Sequence, residues 1–171
     1  MKKVLSIVAL LLSSHLLAVE LGKVPSTVIL DGKNGSKLDG SAWKSSMLKG
    51  KVYILFYVDP DKRDVNNALA DALKAKNFDR KKYTPVAVIN LAASWLPNAI
   101  LEAKLKEKQK KFPDTLYVKD KKKVLVKEWN LADDNSDILI FDKKGKVIYQ
   151  KFGKVSDTEI PQVIALIQKH L

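Results

Sequence analysis

No cysteine occurs anywhere in the 171 residues. Disulfides, thiol nucleophiles, iron–sulfur clusters and thiolate zinc sites are excluded together. Histidine is almost missing as well: His15 lies in a leader-like stretch and His170 is penultimate. A catalytic or transition-metal site built on imidazole is therefore not expected. Arginine is the third scarcity. All but two of the 31 basic residues are Lys, the exceptions being Arg63 and Arg80. Dedicated phosphate readers rely on the bidentate arginine fork. The net charge of +12 thus describes a solvated lysine coat rather than a nucleic-acid interface. The same charge supports a weak, salt-sensitive attraction to anionic membrane or envelope polymer.

The chain opens with "MKKVLSIVALLLSSHLLAVE". Lys2 and Lys3 form a basic start, Val4 to Leu12 an apolar run, and Ala18 a small residue suited to a cleavage site. This pattern predicts a signal peptide over residues 1–18, cleaved after Ala18. The apolar run is too short to span a bilayer comfortably, so the processed chain is not expected to be an integral membrane protein. Residues 19–171 have the length of one domain, and an apolar fraction of 46% is enough for a real core.

Hydrophobic spacing then predicts the elements. Val24–Leu30 is expected as an early strand and "DGKNG" as a turn. Ala42–Leu48 is short and helix-like or irregular. Val52–Val58 is a nearly unbroken apolar run, as in a central strand covered on both faces. Beyond Pro60 the period changes: Val65, Ala68, Leu69, Ala72 and Leu73 fall on one helical face, with an end near Asn77. Thr84–Ile89 is a second buried strand. A loop follows, and Pro97 suits a first helical position. The next helix, reaching about Lys111, turns Leu101, Leu105 and Phe112 inward under a coat of lysines. Leu116–Val118 and Val124–Val126 are short strand candidates around "KDKKK". Asp137–Phe141 and Lys146–Tyr149 make a hairpin about "DKKG". Ser156 and Glu159 form a capping box ahead of Ile160, Val163, Ile164 and Ile167. Strands separated by helices imply parallel pairing with right-handed crossovers, closed by an antiparallel hairpin. The expected class is α/β, three-layer α/β/α, with a mixed central sheet.

This layout resembles the thioredoxin fold with an added N-terminal hairpin. In detail the chain is similar to the YtfJ-type periplasmic proteins. The similarity is carried by "GKVP" at Gly22–Pro25, "WKSSMLKGKV" at Trp43–Val52, "AVIN" ending at Asn90, and "EWNLADDNSDILIFDKKGKV" at Glu128–Val147. The resemblance implies a thioredoxin-like domain over 19–171 and export to the periplasm; it brings no reaction. Thioredoxin-like oxidoreductases keep a C-x-x-C pair where the central strand meets the first long helix, which corresponds to about Asp61 and Asp64 here. Their cis-proline slot is Ser136. Without a thiolate, disulfide exchange has no nucleophile.

The turn "DPDKRD" at Asp59–Asp64 is the main candidate site, because strand ends are where α/β layers place chemistry. Its bland explanation is structural. Asp59 would cap the helix, Pro60 would start it, and Asp61 and Asp64 would face the positive end of the dipole. A hard-cation site on Asp59, Asp61 and Asp64 is a weaker candidate, since Lys62 and Arg63 would repel the ion. A cation-dependent hydrolase or phosphatase with Asp59 as nucleophile and Asp61 as acid is the alternative function, although the later elements of such enzymes are missing. Asp133, Asp134 and Asp137 suggest a solvated acidic loop. Trp43 and Trp129 suggest half-buried packing. Trp95, in a loop, is a candidate binding anchor. The preferred expectation is an exported, non-redox binding or accessory module with no cofactor. It would meet a periplasmic protein or envelope component through Asp61, Asp64, Trp95 and Ser136, on the loops at 59–64, 90–98 and 133–136.

Overall fold

The computed structural model describes residues 19–171; the expected signal peptide and its cleavage after Ala18 lie outside the described residues. The centre of the molecule is β4 (Val52–Val58), which pairs in parallel with β5 (Tyr83–Asn90) and antiparallel with β7 (Ser136–Phe141). Flanked on both sides and covered on both faces, this strand has no polar side to keep, hence the run VYILFYV. Beyond β5 lies β6 (Leu116–Asp120), also parallel, and beyond β7 lies β8 (Val147–Phe152), antiparallel. The "DKKG" turn joins β7 to β8, and Gly145 there has φ +77°, which a β-carbon would resist.

The steps from β4 to β5 and from β5 to β6 run in one direction across the sheet. Right-handed crossovers therefore place α1 (Asn67–Lys76) and α2 (Asn98–Lys111) on one face. The last helix, α4 (Ile160–His170), packs on that face too, through Val163, Ile164 and Ile167 against Val52, Ile54, Ile138 and Ile140. The opposite face is covered by α3 (Val124–Trp129) and the N-terminal segment. There Trp43, Leu125 and Trp129 meet Leu55, Tyr57, Leu139 and Phe141. Burying each such large side chain contributes about 1.5–3 kcal/mol. Trp43 and Trp129 are not half-buried as expected but fully enclosed, at 0% and 1% exposure.

Several local expectations are corrected. The early strand shrinks to β1 (Ile29–Leu30), which pairs with β3 (Trp43–Lys44). The added N-terminal hairpin is thus a short ribbon whose connection departs to the main sheet: β2 (Gly35–Lys37) binds β6 antiparallel. Gly35 makes this possible, since a β-carbon there would lie 2.0 Å from the Lys119 carbonyl oxygen. Second, Ala42–Leu48 divides into β3 and a 3-10 turn at Ser45–Met47, with Ser45 Oγ accepting the Val28 N–H at 2.8 Å. Third, Val124–Val126 is helical, not a strand. Asp120 accepts the N–H groups of Lys122, Val124 and Leu125, satisfying the donors that a helix start leaves open. Fourth, the helix after the central strand begins late. Pro60–Lys62 is a 3-10 turn and α1 starts at Asn67. Pro97 precedes α2 rather than opening it. The capping box is present: Ser156 N–H donates to Glu159 Oε2 at 2.9 Å and Glu159 N–H donates to Ser156 Oγ at 3.3 Å.

Candidate functional site

The parallel strands β4, β5 and β6 all finish at one end of the sheet, and β7 starts there because it runs the other way. Side chains that follow Val58, precede Ile138, or close β5 and β6 are consequently neighbours. Asp59 and Asn135 are doubly linked: Asp59 N–H donates to the Asn135 carbonyl at 3.0 Å, and Asn135 N–H donates to Asp59 Oδ2 at 2.9 Å. Asn90 Nδ2 reaches Asp133 Oδ1 at 3.4 Å, and Lys123 Nζ lies 2.6 Å from Asp133 Oδ2. Lys62 Nζ and Asp134 Oδ1 are 3.9 Å apart. The three loops expected to act together are therefore stitched into one surface.

The acidic turn separates into an inside and an outside. Asp61 and Asp64 are exposed; Asp64 accepts from Asn67 Nδ2 at 2.9 Å and lies 3.6 Å from Arg63 Nε. Asp59 is 1% exposed and makes no side-chain cap, its carboxylate being turned to Asn135 instead. Asp59, Asp61 and Asp64 do not converge, and among the described residues no three His, Asp or Glu side chains form a group able to hold a metal ion. Ser136, expected on the outer surface, is 2% exposed, with Oγ accepting from Asn66 Nδ2 at 3.0 Å. Trp95 is 86% exposed. It is the largest apolar group that this end presents to solvent.

Beneath the surface lies a set of buried acids that sequence pattern did not reveal. Asp137, expected in a solvated loop, is completely buried. Its Oδ2 accepts the Ala132 N–H at 2.8 Å, while Oδ1 has no hydrogen-bond partner. Burial pushes its carboxyl up to about 7, against the pull of the Ala132 and Gly153 N–H groups. Burial also raises Asp59, with the Asn135 N–H acting the other way. Asp120 is equally buried but better satisfied, by the three N–H groups at α3 and by Tyr57 Oη at 3.2 Å. Asn66 is the second unforeseen residue. Its side chain donates to the Ser136 and Gly153 carbonyls at 3.2 and 3.1 Å and accepts the Val155 N–H at 2.9 Å. An Asn just before a helix signals a cap, and nothing in the sequence marks this one as a cross-link between α1, β7 and the approach to α4.

Beside this surface a groove of about 230 Å³ separates α1 from α2. Phe56, Ala87 and Ile89 of the sheet lie along it, and Leu73 and Leu105 face it from the two helices.

Residues 21–170 match the model of a family described as "Bacterial protein of unknown function (YtfJ_HI0045)". The chain belongs to the YtfJ family. One relative, an uncharacterised protein of Haemophilus influenzae, is 30% identical over 73% of this chain and 70% of its own length. The uncharacterised YtfJ protein of Escherichia coli is 27% identical over 75% of this chain and 72% of its own. Among solved structures, the thioredoxin domain of a thiol-disulfide oxidoreductase from Bacteroides vulgatus superposes with a TM-score of 0.63 at 17% identity, over 88% of this chain and 99% of that domain. The fold of this YtfJ-family chain is thioredoxin-like. The positions assigned from sequence to the thiol pair, Asp61 and Asp64, lie on the outer side of the turn between β4 and α1 and carry no sulfur.

Proposed function

We propose that the chain is an exported, non-redox binding or accessory module that offers its strand-end surface to a protein or envelope component in the periplasm. One observation carries the reading: three loops from distant parts of the sequence are joined by the Asp59–Asn135 and Asn90–Asp133 contacts into a surface bearing a fully projecting tryptophan. Exposed large aromatics at fixed loops act as anchors for partners. The absence of thiols leaves recognition as what this end of the fold has to offer. Nothing favours the hydrolase alternative, because Asp59 is sealed inside and Asp61 faces out.

The test is a photo-crosslinking residue placed at Trp95, at Asp64 or, as a control, at Lys144 in the exposed hairpin turn at the opposite end of the sheet. An adduct of one discrete mass from Trp95 and Asp64 but not from Lys144 is the expected outcome. Equal labelling at all three positions, or none from the strand end, overturns the reading.

A further inference from the structure

The groove between α1 and α2 adjoins the strand-end surface, with Asp61 and Ser136 in its lining, and extends away from it between the helices. Its floor is apolar, formed by β4 and β5 side chains, and its walls are the two helices. Both ends carry polar groups: Asp61, Arg63 and Asn67 line it near the strand end, and lysines gather at the other. Phe112, just past α2, lies along the groove, and the ammonium groups of Lys74, Lys108 and Lys111 sit 4.8, 5.4 and 5.5 Å from its ring centroid. Lys74 and Lys108 themselves border the groove, as does Lys104. None of these four lysines takes part in the ion pairs found among the described residues. The nearby acid, Asp114, is already held by Arg80 at 2.6 Å. Three cations gathered around one ring repel each other, and the attraction of an aromatic face for a cation is small at an exposed site. An anion at that position would relieve the repulsion.

From these features we propose that the groove binds a single-chain amphiphilic anion, a free medium- to long-chain carboxylate. Its hydrocarbon chain would lie over Phe56, Ala87 and Ile89 and its carboxylate among Lys74, Lys108 and Lys111. The combination of an apolar floor with a few polar groups at its ends is what small-molecule sites provide. The volume of about 230 Å³ is small for a ligand site and suits one chain rather than the two of a bilayer lipid. Lysine serves this role as a point charge, without the arginine fork.

Laurate and dodecyltrimethylammonium, each below its micelle concentration, are titrated calorimetrically into the chain from residue 19 onward. Saturable one-to-one binding of laurate, and none of the cationic amphiphile, is expected. Lys74→Glu with Lys108→Glu is expected to weaken laurate by about tenfold or more. Ala70→Trp, at a half-buried position of α1 that lines the groove, is expected to block it without touching the charges. Circular dichroism melting of each variant confirms that it is folded. Absence of laurate binding, equal binding of both amphiphiles, or laurate affinity unchanged in both variants overturns the proposal. So does co-sedimentation with phosphatidylglycerol vesicles without uptake of free laurate, since the lysines would then serve a membrane surface.

Discussion

Asp137 shows how much one side chain depends on where its strand starts. Its carboxyl titrates near 7 in the folded chain against an ordinary 3.8. The folded state thus holds the proton more tightly than the unfolded one. Stability from this group is complete below the unfolded value, declines as pH rises between the two, and is gone above about 7. The penalty at alkaline pH is bounded at roughly 4 kcal/mol. The melting temperature is therefore expected to fall as pH is raised from about 5 to about 8. Asp137→Asn is expected to flatten most of that slope, with a remainder from Asp59, whose carboxyl is raised in the same direction. Melting curves across that pH range check it; a slope unchanged in Asp137→Asn would show that the acid is not buried as described. Asp120 makes the opposite case of a satisfied buried acid. Asp120→Ala would strand the Val124 and Leu125 N–H groups and the Tyr57 hydroxyl, and is expected to cost about 3 kcal/mol in chemical denaturation.

For the secondary-structure elements, the difference between what was legible and what was not follows from range. β4, β5 and β7 were readable because strands covered on two faces must be apolar throughout. α4 was readable because a capping box and a helical stripe occupy adjacent residues. The misread elements are those whose decisive partner is distant in sequence or acts through a side chain. Val124–Val126 has a strand-like composition, yet it is helical because Asp120 supplies acceptors for its first turn. Asp59–Pro60 looks like a cap and a first helical residue, yet α1 is delayed because the Asp59 carboxylate serves Asn135, 76 residues away. β2 was invisible because three residues, Gly-Ser-Lys, carry no periodicity; the signal lies in Gly35 alone, which lets the backbone touch Lys119. Gly35→Ala is accordingly expected to detach β2 from β6 and to destabilise by about 3 kcal/mol. Loss of hydrogen-exchange protection at Leu38 and Lys121, whose N–H groups donate across to the Tyr117 and Asn34 carbonyls, with protection at β4 retained, would locate the damage. Full protection at both would mean that the edge tolerates a side chain.

For the whole molecule, the fold and the chemistry separate. The thioredoxin-like arrangement is shared at 17% identity with a thiol-disulfide oxidoreductase domain, while this chain has no cysteine. In an insulin-reduction assay with dithiothreitol the purified chain is expected to add nothing to the uncatalysed rate. An acceleration proportional to protein and surviving further purification would contradict this. The acidic turn was located correctly from sequence as the end of the central strand, and the three loops around it do form one surface. Its roles were not legible. Of the residues expected at the surface, Asp61, Asp64 and Trp95 are outside, whereas Ser136 is inside; Asp59, expected as a helix cap, is inside too.

Composition alone settled that this chain cannot use thiol chemistry, since no fold can supply an atom that the sequence omits. Periodicity settled the layers, since each face of a strand or helix must match the solvent or core that it meets. Only the tertiary structure decided which acids are buried, where Asn66 cross-links three elements, and that α1 and α2 stand apart over an apolar floor. Those outcomes depend on where strand ends and helices converge from positions up to 89 residues apart, and no local pattern encodes that separation.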